Sequence, residues 1–201
     1  MKIESLMVPN PITITIHSSV QQAIELMKIN SIRHLPVIDS QKNLIGFLTL
    51  ADLKQALIPS MLGDLTLADM MIKNPLTVSP NDDIEIAAQL IYKHKISGLP
   101  VTSNHRLVGI ITDSDILHAF IDMMGLLSNS VRIDVTTGDN PADLNRAIQI
   151  IHGHGGDIIN VAMTAQETSN RTYYFRLAPC STSAIRKALE GEGFVVQAIM
   201  Q

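Results

Sequence analysis

Two stretches of the chain, "GFLTLADLK" (Gly46–Lys54) and "GIITDSDIL" (Gly109–Leu117), read almost alike. In each, an apolar β-like run reaches a Thr, and an Asp follows three residues later where helical spacing begins. One such turn is an ordinary helix start. Two in matched settings mark a repeated unit, and the rest of the chain can be aligned outward from them.

The repeat is long. Met7 matches Met71, Asn10-Pro11 matches Asn74-Pro75, and Leu35-Pro36-Val37 matches Leu99-Pro100-Val101, each at an offset of 64. Gly46, Thr49 and Asp52 match Gly109, Thr112 and Asp115 at 63, so one residue is lost in the loop between. Self-similarity at this spacing means two copies of one supersecondary unit that bury a shared face. Within each copy, "PITITI" and "PLTV" follow an Asn-Pro turn as short β-branched strands. A helix comes next, with Val20, Ala23, Ile24 and Met27 at helical spacing in the first copy and Ile84, Ala87, Ala88 and Ile91 in the second. Ser18 or Ser19 and Asn81 fit the N-cap positions. The strand pairs "LPVID"/"LIGFLT" and "LPVTS"/"LVGIIT" follow, then second helices near 50–57 and 113–127. Both copies therefore read β-α-β-β-α, over residues 1–60 and 61–126, with 58–66, holding Pro59 and Gly63, as linker.

From about residue 130 the pattern changes. "VRIDVTT" alternates as a strand, and Asn140-Pro141 supplies an N-cap with Pro at the first helical position. Leu144, Ala147, Ile148 and Ile151 stripe a helix that stops at the glycines of "HGHGGD". Strands "IINVAMTA" and "TYYFRLA", separated by the polar turn "QETSNR", a helix from Thr182 to Gly191 and a strand "FVVQAIM" complete a β-α-β-β-α-β order over 130–201. That is the split, ferredoxin-like arrangement, and the fold class is mixed α/β (α+β).

Composition narrows the function. A formal charge of -4 with no basic run argues against nucleic acid as a main partner, and 3% aromatic residues without Trp argue against base stacking. No apolar run is long enough to span a membrane, and "MKIE" is not a signal-peptide start. The single Cys180 leaves no internal disulfide, which fits a reducing cytoplasm.

The Thr-x-x-Asp turns have two readings. At a strand-to-helix junction, unpaired N–H groups and the positive helix end suit a phosphate, with the Thr hydroxyl as a further donor. The Asp, one turn on, can accept from two adjacent hydroxyls such as those of a ribose. Alternatively Thr caps the helix and Asp complements its dipole.

In combination, the Asn-Pro strands, "SIRHLPV" and "KISGLPV", and the two Gly-x-x-Thr-x-x-Asp turns resemble a tandem of cystathionine-β-synthase (CBS) domains over residues 1–125. The tail from 130 resembles, more weakly, the ACT regulatory domain, and the whole order is similar to the bacterial acetoin-utilisation B proteins. The resemblance implies a pseudo-two-fold pair of repeats that binds an adenosine compound: AMP, ADP, ATP or S-adenosylmethionine. It implies that Thr112 and Asp115 face Thr13, Ile32 and Arg33, and that Thr49 and Asp52 face Thr77, Ile96 and Gly98. Arg33 and His34 are replaced by Ser97 and Gly98 in the second copy. The two sites should then differ in charge, with the Arg33 side suited to a phosphate; Arg33 reads equally as a solvated surface residue.

Other constellations carry less. His152, His154 and Asp157 hint at metal, but the glycines around them read better as a helix stop, and Cys180 reads as a structural thiol. His17, His94, His105 and His118 look like surface or linker residues. In "GDNPADL", Ala142 stands where ACT domains often carry a Gly, which turns the tail toward packing or dimerisation rather than amino-acid binding. The apolar stretch "LHAFIDMMGLL" calls for a second copy to cover it, hence a homodimer. The expected function is a non-catalytic regulator, without a cofactor of its own, that senses an adenosine nucleotide and acts on a metabolic enzyme. The alternatives are an amino-acid sensor or interaction module working through the tail, and a nucleotide-dependent enzyme, for which no activated nucleophile or Gly-rich phosphate loop is present.

Overall fold

The computed structural model describes residues 1–55, 65–138, 140–164 and 171–200. Most of the expected linker, with Pro59 and Gly63, the end of the helix expected near 50–57, and most of the turn "QETSNR" lie outside these residues. The chain divides into two compact units, Met1–Leu117 and His118–Gln201.

The first unit runs, after a short 3-10 turn at Ile3–Ser5, through β1 (Val8–Pro9), β2 (Ile14–Thr15), α1 (Val20–Ile29), β3 (His34–Ile38), β4 (Leu44–Thr49) and α2 (Leu50–Gln55). It continues through α3 (Leu67–Met70), β5 (Ile72–Lys73), α4 (Ile84–His94), β6 (Gly98–Ser103), β7 (Arg106–Thr112) and the start of α5 (Asp113–Met123). The strand expected at "PITITI" shortens to β2, and the one at "PLTV" to a single bridge from Val78 to Val101. Ser19 caps α1 in a full capping box with Gln22, whereas Asp83 rather than Asn81 occupies the N-cap of α4.

Sheet order reveals an exchange that the repeat pattern alone did not show. One sheet runs β2-β3-β4-β5 and the other β1-β7-β6, so each repeat lends a two-residue edge strand to the other's sheet. Val8 and Pro9 pair with Ile110 and Gly109, while Ile72 and Lys73 pair with Phe47 and Gly46. The repeated glycines exist for this crossing: a Cβ on Gly46 would overlap the Met71 sulfur, and one on Gly109 would overlap that of Met7. Asn10 and Asn74 then take left-handed φ values of 48° and 52°, a region Asn tolerates, and turn the chain from the borrowed position toward its own repeat. Leu35, Val37, Leu48 and Leu53 in the first copy and Leu99, Val101 and Ile111 in the second are wholly buried.

The second unit contains β8 (Val131–Thr137), α6 (Ala142–Gly153), β9 (Ile158–Met163), β10 (Arg171–Leu177), α7 (Thr182–Gly191) and β11 (Val195–Met200). Its four strands form an antiparallel sheet in the order β11-β8-β10-β9. Helix α6 starts at Ala142, one residue later than expected, with the Asn140 side chain accepting from the Ala142 N–H at 3.0 Å. Ile133, Val135 and Phe175 of the sheet pack with Ile151 of α6 and Ile185 and Leu189 of α7, and Cys180 lies half-buried against this core.

Candidate functional site

Strands β4 and β7 each deliver a Thr to the start of a helix, and the two turns form the same hydrogen bonds. Asp115 Oδ2 accepts from the Thr112 N–H at 2.8 Å and from the Thr112 hydroxyl at 2.7 Å. Asp52 Oδ2 accepts from the Thr49 N–H at 3.1 Å and from its hydroxyl at 2.6 Å. The Asp N–H groups return to the Thr hydroxyls at 3.4 and 3.2 Å. Leu50 donates to the Arg33 carbonyl and Asp113 to that of Ser97. Most of the first-turn donors therefore have partners, and the Thr hydroxyl proton goes to its own Asp. The expectation that the hydroxyl and unpaired N–H groups would reach a phosphate is corrected by this geometry. What each turn offers is a half-buried carboxylate already fixed through Oδ2.

Each turn forms part of a cleft whose facing wall comes from the opposite repeat. One cleft, about 500 Å³, brings Thr49, Ala51 and Asp52 together with Pro75, Leu76 and the 94–98 loop, including Ile96 and Gly98. The other, about 320 Å³, brings Thr112 and Asp115 together with Pro11, Ile12 and the 31–34 loop, including Ile32 and Arg33. Both volumes lie in the range of small-molecule sites. Ser31 and Lys95, at φ 53° and 56°, turn the two loops inward just before the isoleucines. Thr13 and Thr77 do not line the clefts; their neighbours Ile12 and Leu76 do. The exchanged edge strands bring these residues across the boundary between repeats.

The clefts differ in their cations. The Arg33 guanidinium lies 3.7 Å from Asp113 with both side chains well exposed, a pairing weak enough to yield to a ligand. The larger cleft, which lacks a counterpart of Arg33, has a cation of its own: Lys95 lines it, its ammonium 4.4 Å from the Tyr92 ring centre. His94, expected at the surface without a role, is exposed and lines the same cleft.

His34 lines both clefts. It is 6% exposed, stacks on Phe47 with centroids 5.7 Å apart, and its Nε2 lies 2.7 Å from Ser97 Oγ. Its counterpart in the other repeat is Gly98, and a Cβ there would come within 3.1 Å of the His34 ring. The imidazole occupies space that a symmetrical pair would fill twice. Burial, then the neighbouring Arg33 charge, holds its pKa below the usual 6.5 and favours the neutral ring. The sequence offered only the His-to-Gly difference as a signal for this residue.

The family model for the CBS domain matches residues 3–59 and 67–122, together more than half of the chain. The chain belongs to the CBS domain family. Homoserine O-acetyltransferase of Methanocorpusculum labreanum is 40% identical over 115 residues, 56% of this chain and 23% of the enzyme. The chain spans about a quarter of the length of the curated relatives it matches. Among solved structures, a Vibrio cholerae protein assigned to acetoin utilisation (AcuB) is 34% identical with a TM-score of 0.57, covering 65% of this chain and 97% of its own. The CBS domain pair of protein MJ0100, solved with 5'-methylthioadenosine and S-adenosyl-L-methionine, is 29% identical with a TM-score of 0.56, covering 60% of this chain and 95% of its own. CBSX2 of Arabidopsis thaliana, solved with AMP, is 28% identical with a TM-score of 0.54, covering 60% and 96%.

Proposed function

We propose that this chain is a regulatory, non-catalytic cytoplasmic protein whose CBS pair binds adenosine compounds in the two clefts. One observation carries the reading: each Thr-x-x-Asp turn meets, across the repeat boundary, an isoleucine-bearing loop in a cleft of ligand size. In each cleft the fixed Asp, at 52 or 115, accepts the ribose hydroxyls, while the apolar wall with Ile96 or Ile32 packs the base. Structures of related CBS pairs hold AMP, 5'-methylthioadenosine or S-adenosylmethionine, which supports the same ligand class here. Arg33 and Lys95 give both clefts a cation for a phosphate. Arg33, with its planar fork, makes the smaller cleft the better site for AMP.

The second unit has the strand order of a ferredoxin-like ACT-type domain, which we assign to residues 130–201 following repeats at 1–60 and 61–126. Ligand binding in the clefts shifts an equilibrium that this unit or a partner enzyme senses. Phe120, Met123, Leu126 and Leu127 are exposed in the stretch expected to pair two copies, which supports a homodimer. The likeness to AcuB supports a link to acetoin or carbon metabolism.

A thermal-shift screen of AMP, ADP, ATP, S-adenosylmethionine and the twenty amino acids tests the reading, because ligand bound only to the folded chain raises Tm. Stabilisation by adenosine compounds is expected. Stabilisation by amino acids alone would replace it with a sensor acting through the second unit, and turnover of ATP would replace it with an enzyme.

A further inference from the structure

The sheet of the C-terminal unit buries Ile133, Val135, Tyr173 and Phe175 on the face that packs with its helices. Arg132, Asp134, Tyr174 and Arg176 alternate with them and so lie on the opposite face, which an antiparallel sheet commonly leaves to water. Here the chain between Met123 and Ser130 crosses that face. Asn160 Nδ2 donates to the Met123 carbonyl at 3.1 Å, and Arg176 Nη1 donates to Ser130 Oγ at 2.8 Å. Gly125, at φ 63°, rests against Arg176, so close that a Cβ would come within 3.2 Å of Cδ. Beneath this strap lies a cavity of about 210 Å³.

Met124, Leu126 and Ala162 make its walls apolar, and Arg132, Arg176, Asn160 and Tyr174 supply the polar groups. The two arginines differ. Arg132 is neutralised: Nε and Nη2 each lie 2.7 Å from an oxygen of the buried Asp134, and the guanidinium stacks 4.7 Å from the Tyr174 ring centre. Arg176 has no carboxylate partner among the described residues, and its side-chain hydrogen bond goes to a neutral hydroxyl. The cavity therefore presents one uncompensated guanidinium among apolar walls. Such a fork matches a carboxylate in charge and planarity, whereas a phosphate dianion would bring more charge than the wall offsets. At roughly 30 Å³ per water-sized group, the volume holds about seven non-hydrogen atoms.

We propose that this cavity binds a small free monocarboxylate with a short branched or straight apolar body, Arg176 receiving the carboxylate and Met124 and Leu126 covering the body. None of the cavity's lining residues belongs to an adenosine cleft.

The test is ¹H–¹⁵N correlation spectroscopy of the full chain during titration with isobutyrate, isobutyramide, inorganic phosphate and a tetrapeptide ending in valine. Isobutyrate should shift the Gly125, Asn160 and Ala162 amides saturably, and the isosteric amide should bind at least tenfold more weakly. Arg176→Met should weaken isobutyrate at least tenfold, and Ala162→Leu, which keeps both arginines and fills the cavity, should also block it. Amide dispersion identifies any variant that fails to fold, so that the other carries the test. No saturable shift, equal binding of isobutyramide, or full binding by Ala162→Leu would overturn the proposal. Tighter binding of phosphate would replace the carboxylate with a general anion, and tighter binding of the tetrapeptide would replace the free acid with a chain terminus.

Discussion

Thr66 and Asp69 form the same turn as Thr112 and Asp115. Asp69 Oδ2 accepts from the Thr66 N–H at 3.0 Å and from its hydroxyl at 2.6 Å, close to the 2.8 and 2.7 Å of the other pair. Yet Thr66 and Asp69 are exposed and line neither cleft, whereas Thr112 and Asp115 stand beside Ile12, Ile32 and Arg33 of the other repeat. The hydrogen bonds alone make a helix cap. What turns the cap into a candidate site is the wall brought across the repeat boundary.

Removing the carboxylates separates the cleft turns from the plain cap. The double variant Asp52→Ala/Asp115→Ala should bind AMP at least about a hundredfold more weakly in calorimetric titration, since charge-assisted hydrogen bonds contribute about 1.5–3 kcal/mol each. Asp69→Ala, which breaks the same hydrogen bonds outside the clefts, should bind as wild type does while losing about 1 kcal/mol of stability. Equal losses of binding in both would mean that the Thr-x-x-Asp turns act only through stability.

The borrowed walls can be disturbed next. Gly46→Ala or Gly109→Ala should cost about 1–3 kcal/mol in denaturant unfolding, because the methyl collides with Met71 or Met7 and pushes the exchanged strand away. Nucleotide affinity should fall with the loss of the strand's position. An unchanged midpoint would show that the methionines simply move aside.

His34 gives a smaller, pH-dependent effect. Its folded pKa lies below the unfolded 6.5, so the unfolded chain takes up the proton first. Stability is therefore retained above that value and declines as pH falls through it. Wild type should lose more Tm than His34→Asn between about pH 7.5 and about pH 5.5. Parallel curves would place the neutral ring's importance elsewhere. The smallest effect is Arg33→Ala, which should weaken AMP by about threefold to tenfold and leave adenosine unchanged, as an exposed charge contributes about 1 kcal/mol. Equal loss for both ligands would assign Arg33 to the cleft wall instead of the phosphate.

Much of this was legible in the amino-acid order because local rules and the repeat agreed. The 64-residue offset located both copies, and Thr49, Asp52, Thr112 and Asp115 followed from a turn whose chemistry is local. Ile32, Arg33, Ile96 and Gly98 came through family resemblance and do line the clefts. Thr13 and Thr77 also came through the resemblance, and it is their neighbours Ile12 and Leu76 that line the clefts. The exchange of β1 and β5 was hidden because Val8-Pro9 and Ile72-Lys73 are too short to carry a pairing signal. Lys95 and His94 escaped because a helix end reads as solvent until the facing repeat is known. His34 is a nonlocal fact: its burial depends on Gly98 leaving room 64 residues away.

The carboxylate's role in the clefts is tested most directly by removing its partner from the ligand. AMP, 2'-deoxy-AMP and 3'-deoxy-AMP should be titrated calorimetrically into wild type and into Asp52→Ala/Asp115→Ala. Each deoxy ligand should bind wild type about tenfold or more weakly than AMP, and the difference should largely vanish in the double variant. Equal affinity of the three ligands for wild type would contradict that role, leaving Asp52 and Asp115 as helix caps beside clefts they do not serve.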